Sequence, residues 1–254
     1  MKGEITSYFD VAQVAIWLFW ILFTVLIFWI RREDRREGYP LFSEPSNTFK
    51  SDDFFFIPPP KVFRLPGGGV AKAPSGTPDR REPNATKVAP WPGAPLEPRG
   101  DPMLANVGPG SYAERANVPD HMLDGRPKIV PLRVAKNFAC EERDGNPTGY
   151  RVIGADGGDG GAITDVWVDQ SETIIRYLEM TTGGNRRALI PMTFARINKL
   201  RGEVVVKAIL ASQFANVPAL ANPDQITMLE EEKVCAYYGA GTLYATPQRA
   251  EALL

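Results

Sequence analysis

The chain has 254 residues and a formal net charge of −1, from 29 Lys and Arg against 30 Asp and Glu, with a single histidine. That balance gives no basic excess for nucleic acid. One histidine and two widely separated cysteines lack the ligands of a structural zinc site, whereas a carboxylate-only calcium or magnesium site is not excluded by composition.

Residues 1–10 precede an apolar stretch from Val11 to Ile30 that carries no charge. At a 1.5 Å rise per residue it has the length needed to cross a bilayer core. A signal peptide would have a shorter apolar core and a small-residue cleavage site, whereas here Trp29 and Ile30 run directly into Arg31. Trp17, Trp20 and Trp29 suit interfacial anchoring. The stretch therefore reads as a retained transmembrane helix over 11–30. Lys2 is the only cation before it, whereas Arg31, Arg32, Arg35 and Arg36 follow within "RREDRRE". Positive charge resists translocation, so the N-terminus is expected outside and the rest of the chain in the cytoplasm. The four arginines are also candidates for binding anionic lipid headgroups.

Residues 31–131 hold 18 of the 23 prolines. Each fixes φ and removes a backbone donor, so long helices and central strands are not expected there. Phe54, Phe55, Phe56, Phe63 and Trp91 are more apolar than disorder allows, which points to an extended tract ordered by a bilayer surface or a partner protein. Asn84-Ala85-Thr86 matches a glycosylation acceptor that a cytoplasmic location leaves idle.

From 132 to 215 the pattern changes to short alternating runs. "GYRVIGADG", "GAITDVWVDQ", "TIIRYLEMTTGGNRRALIPM" and "KLRGEVVVKAIL" predict strands joined by tight turns, in a small barrel or sandwich. In 216–254, "NPDQITMLEEEKVCAYYGAG" predicts a helix with Asn222 as N-cap, Pro223 at its first position and Gly239 as its stop, followed by a tail.

Few residues suggest chemistry. "GADGGDGGAI" has the glycines of a phosphate loop but runs on into a strand, so a hairpin loop or bulge is expected. Asp156 and Asp159 within it do not complete a calcium loop. His121 and Asp124 lie near each other without a recognisable nucleophile. Cys140 and Cys235, in a reducing compartment, read as small core residues. Glu179 shares a strand face with Ile175 and Tyr177, and Arg176 shares the other with Leu178 and Met180, so an ionisable group is buried whichever face is inward. Burial would favour a neutral carboxylic acid there, as a proton relay needs.

Taken together, "AIWLFW", "RREDRREGYPL", "GDPM", "VGP", "LDGRPKIVPLRVA", "ITDVWVDQSE", "RYLEM", "LIPM", "FANVPAL", "NPDQITMLEEEKVCAYY" and "LYATPQRA" resemble, in order, the H subunit of the purple-bacterial photosynthetic reaction centre. The resemblance implies one transmembrane helix with a periplasmic N-terminus and a cytoplasmic, mainly-β domain built around a photosynthetic-reaction-centre (PRC) barrel, with a C-terminal helix. It implies residence in the bacterial inner, intracytoplasmic membrane. The partners implied are the L and M subunits, the core light-harvesting antenna and anionic lipids, with a tetrahaem cytochrome subunit as a further candidate.

Bacteriochlorophylls, bacteriopheophytins, quinones and non-haem iron would be held by L and M, with no dedicated ligand set in this chain. The implied role is non-catalytic: capping the core, stabilising it, shielding the secondary quinone and conducting protons to it. By resemblance, Glu179 and Asp124 belong to the proton pathway. Some members carry two histidines after "LDG", where this chain has Arg126-Pro127-Lys128. The alternative is a membrane-anchored barrel serving as an adaptor for cytoplasmic proteins.

Overall fold

The computed structural model describes residues 4–6, 9–43, 45–50, 57–65, 68–76 and 81–250. Phe54, Phe55 and Phe56, on which the ordered reading of the proline-rich tract leaned, and Lys2, on which the orientation reading drew, lie outside the described residues. The chain divides into two compact units, Met1–Arg80 and Arg81–Leu254.

In the first unit, strands β1 (Glu4–Thr6) and β2 (Phe9–Asp10) lead into helix α1, Val11–Glu33. Asp10 caps it, its carboxylate accepting the Gln13 N–H at 2.7 Å. The helix runs three residues past the expected Ile30, and a 3-10 turn over Asp34–Arg36 follows. None of its residues is buried within the protein, so a continuous apolar cylinder faces outward. Thr24 returns its hydroxyl to the Trp20 carbonyl at 2.8 Å, as a polar side chain in an apolar medium must. Beyond it lie two short antiparallel hairpins, β3 (Leu41–Ser43) with β4 (Thr48–Lys50) and β5 (Lys61–Arg64) with β6 (Val70–Ala73).

The second unit opens with a third such hairpin, β7 (Ala85–Lys87) with β8 (Leu96–Pro98). Its main sheet has seven strands: β9 (Ile129–Pro131), β10 (Arg151–Ile153), β11 (Asp159–Asp169), β12 (Ile174–Thr182), β13 (Arg187–Pro191), β14 (Ala195–Asn198) and β15 (Glu203–Val206). Their order is β13-β12-β11-β10-β15-β14, with β9 added to β11. No ladder joins β13 to β14 among the described residues, so the small barrel or sandwich expected from the strand pattern is present as a sheet that does not close by hydrogen bonding. Strand β11 is the spine, because β10 pairs with its beginning and β9 with its end while β12 runs along the other side. Val166, Trp167, Val168 and Asp169 are consequently all buried, on both faces.

Helix α2 (Met228–Tyr244) packs on this sheet. It does not start at Asn222. That carboxamide accepts the Asp224 N–H at 2.9 Å in a local turn, and Thr227 caps the helix instead, in a reciprocal box with Glu230. Nor does Gly239 stop it. A Cβ at Gly239 would lie 2.5 Å from the Pro109 carbonyl oxygen, and one at Gly241 2.5 Å from that of Ala208, so these glycines admit neighbouring backbone. Part of the proline-rich tract is thereby ordered by the chain's own helix. Met103, Ala105, Val107 and Gly110 are buried, and Gly110 sits directly on Ala240.

Candidate functional site

Glu179 sits mid-strand on β12, between Asp165 of β11 and Leu189 of β13. It is 4% exposed, and of the two charged groups on β12 it is the buried one, Arg176 being exposed. Two donors meet one of its oxygens. The Trp167 indole N–H donates to Oε2 at 2.9 Å, and Arg133 Nη1 donates to the same oxygen at 2.8 Å. On the other oxygen, Arg187 Nε stands 3.7 Å from Oε1, beyond a hydrogen bond. An ion pair at this depth is held by its partners' geometry, since desolvation alone would oppose it.

Arg133 lies just after β9 and connects three carboxylates from three elements. Besides Glu179, it donates through Nη1 to Asp165 Oδ2 at 2.9 Å and through Nε to Asp224 Oδ1 at 2.9 Å. Nη2 donates to the Pro223 carbonyl. Its guanidinium lies 5.9 Å from the centre of the Trp167 ring, within cation–π range. A cavity of about 230 Å³ opens beside this group, lined by Glu179, Arg187, Leu189, Pro218 and Leu220 among others.

Asp124 is elsewhere. It lies in the loop between Asp120 and Lys128, half-exposed, with Arg126 as its partner: Nε at 2.8 Å, Nη2 at 2.7 Å and the backbone N–H at 3.0 Å. The Arg126 side chain holds its carboxyl below the usual carboxylate value. Among the described residues, Asp124 and Glu179 share no bonded partner. What connects them is the chain between: Lys128 follows Asp124 in the loop, β9 runs antiparallel to the end of β11, and Arg133 follows β9. From Lys128 to Arg133 that is no more than about 18 Å.

Lys128 has its own cluster. Its ammonium lies 3.3 Å from Asp169, 3.4 Å from Glu172 and 3.9 Å from Asp120. Asp169 is 1% exposed, and its other oxygen accepts the Ser171 and Glu172 N–H groups. The loop therefore places a lysine among three carboxylates.

The remaining candidates have local duties. Asp156 accepts the N–H groups of Gly158 and Ala211, and the Ala211 bond is the main cause of its lowered carboxyl; Asp159 accepts that of Gly161. Both hold the Gly154–Asp159 turn, which is the hairpin and bulge expected. His121 forms an isolated bridge with Pro127. Burial pushes both the Cys140 and Cys235 thiols up. Asn84 donates to the Arg99 carbonyl at 3.0 Å. No group of three or more His, Cys, Asp or Glu is placed to hold a metal among the described residues.

Of the four arginines after α1, Arg36 is bonded within the protein, to both Glu33 oxygens and the Pro59 carbonyl. Arg31, Asp34, Arg35 and Tyr39 line a cavity of about 270 Å³, with the Arg35 guanidinium 5.2 Å from the centre of the Tyr39 ring. Arg32 is exposed.

Sequence reasoning found Glu179 but not Arg133, Asp165, Asp224 or the indole donor. Asp165 and Trp167 were legible as one face of β11. Nothing in "PLRVA" or "NPDQ" signals that residues so far apart in the chain converge on one carboxylate. Two family models match the chain: photosynthetic reaction centre, H-chain N-terminal region, over residues 3–134, and PRC-barrel domain, over residues 141–213.

Proposed function

Since the chain belongs to the H-chain family of photosynthetic reaction centres, we propose that it caps the L and M core on the cytoplasmic side, shields the secondary quinone and conducts protons to it. The family is one of structural subunits, partnered by L and M, with the redox cofactors carried by other subunits. The H-chain match covers α1 and the proline-rich tract, which an adaptor would not need, so the adaptor reading is not carried further. Helix α1 fits a single-pass anchor. The arginines after it favour an N-terminus outside and the barrel domain in the cytoplasm.

The observation that carries the proton reading is Glu179: a carboxylate in the sheet core, beside a cavity, with one oxygen fixed and the other lacking a direct hydrogen bond. Reducing a quinone to quinol consumes two protons, and a cap that excludes water must supply them through ionisable groups. Asp124, half-exposed in its loop, is the outer group of this route, and the Lys128 cluster lies between the two along the chain. Replacing Glu179 with Gln is expected to slow the second, proton-coupled electron transfer to the secondary quinone in isolated reaction centres, with charge separation unchanged. Flash-induced absorbance kinetics read both steps, and an unaltered second transfer removes Glu179 from the route.

The cavity between Arg31, Arg35 and Tyr39 suits an anionic lipid headgroup at the membrane surface, each basic residue contributing on the order of 1 kcal/mol. The double substitution Arg31→Ala, Arg35→Ala should therefore lower the anionic lipid that copurifies with the complex. Full retention of that lipid would count against the site. Arg36→Ala is expected to loosen the turn after α1 instead, because its donors are engaged by Glu33 and Pro59.

A further inference from the structure

The geometry points to Arg133 as the positioning residue of the Glu179 site, the group that fixes one carboxylate oxygen so that the other is left to exchange a proton. This rests on the proton-conducting reading of Glu179 and adds to it a second residue with a distinct task.

A guanidinium presents its N–H donors in a rigid plane, and at Arg133 all three nitrogens are used. Nη1 bridges Asp165 and Glu179, Nε reaches Asp224, and Nη2 reaches the Pro223 carbonyl. β11, β12 and the loop before α2 are thus held through one side chain. Glu179 Oε2 accepts from both Arg133 and Trp167, which fixes the carboxylate's rotation in its strand. Among the described residues, Oε1 meets only Arg187 Nε, at 3.7 Å. One oxygen is therefore anchored, and a proton arriving at the other displaces no short bond.

Charge supports the same division. Asp165, Glu179 and Asp224 face Arg133 and Arg187. The three carboxylates share Arg133 as their close guanidinium, at 2.8 to 2.9 Å, while Arg187 stands 3.7 Å from Glu179. The other groups facing the cluster are Arg186, which lines the cavity and donates to the Val217 carbonyl, and the Cys140 thiol, whose value the Asp165 charge raises. Neither supplies a second cation bonded to Glu179.

The test is a double-substitution cycle in intact reaction centres, read as the rate of the second electron transfer to the quinone. Arg133→Gln is expected to slow it by between a few-fold and about a hundredfold, the range that a misplaced reacting group costs. In a Glu179→Gln background the same change should add little, because the carboxylate it positions is gone. Arg133→Lys keeps the charge but cannot span three carboxylates, so its rate should fall between those of Arg133→Gln and the unaltered protein.

Equal slowing by Arg133→Gln in both backgrounds, or none in either, overturns the positioning role while a slow Glu179→Gln preserves the proton reading. An unaltered Glu179→Gln overturns both. Should Arg133→Gln fail to assemble, Asp224→Asn removes one leg of the clamp at an exposed position and runs the same cycle, with a smaller slowing expected that disappears without Glu179.

Discussion

Glu179 is buried and Glu231 partly buried, and the two carboxylates have different partners. Glu179 has a guanidinium at 2.8 Å. Glu231, on α2, accepts the Tyr177 hydroxyl at 2.8 Å and has Arg176 only at 4.0 Å, with Cys235, Asp120 and Arg115 also facing it. Burial is the larger effect there and pushes its carboxyl up from the ordinary 4.5. A group raised on folding contributes stability that is full below its unfolded value and is lost as pH rises through its folded value. The unaltered complex should therefore lose part of its stability as pH climbs above about 4.5. Glu231→Gln keeps an acceptor for the Tyr177 hydroxyl but has no proton to lose. Its apparent unfolding midpoint should fall less than that of the unaltered protein over this range, and parallel curves would show that Glu231 does not titrate there.

At the scale of elements, the strands were the most legible part of the chain and the start of α2 the least. Gly183-Gly184 and Arg201-Gly202 separate strands because both pairs sit in tight turns where alternation breaks. Asn222-Pro223 has the chemistry of a helix start, but both residues form the turn that carries Asp224 and the Pro223 carbonyl to Arg133. The true cap, Thr227 with Glu230 three residues on, is a written capping box that the earlier and more conspicuous proline obscured. Gly239 reads as a stop because the backbone it admits, at Pro109, is distant in sequence, and Gly241 admits Ala208 in the same way. Two substitutions separate these roles. Thr227→Ala should cost about 1 kcal/mol, the usual worth of such a cap. Gly239→Ala should cost more despite alanine's better helix propensity, because its methyl group meets a carbonyl oxygen that cannot swing aside. Thermal unfolding of the two variants should rank them in that order, and a stabilised Gly239→Ala would show that the methyl group is accommodated beside Pro109.

For the whole molecule, the deciding feature is the apolar surface of α1, which no described residue covers. Along α1 no residue is buried, and Leu18, Ile21 and Leu22 are each more than 60% exposed. A contiguous apolar surface of that kind is found on soluble proteins only where something binds, and over 23 helical residues a bilayer and neighbouring helices are the covers that fit. The barrel unit has the opposite character, with a core of its own around Trp167, Leu178, Ile190, Tyr238 and Phe214. An isolated chain can therefore keep its folded sheet while its helix still requires partners in the membrane. If those partners are the L and M subunits, gentle extraction of the chain through a C-terminal tag should recover them, and with them near-infrared bacteriochlorophyll and bacteriopheophytin absorption. A tagged chain lacking residues 1–36 should bring down far less pigment per mole of protein, because the contact made within the bilayer is lost. Colourless material from the full chain, extracted from photosynthetically grown cells, would leave the cap without its core. Equal pigment with and without the helix would instead place the whole of the attachment in residues 37–254.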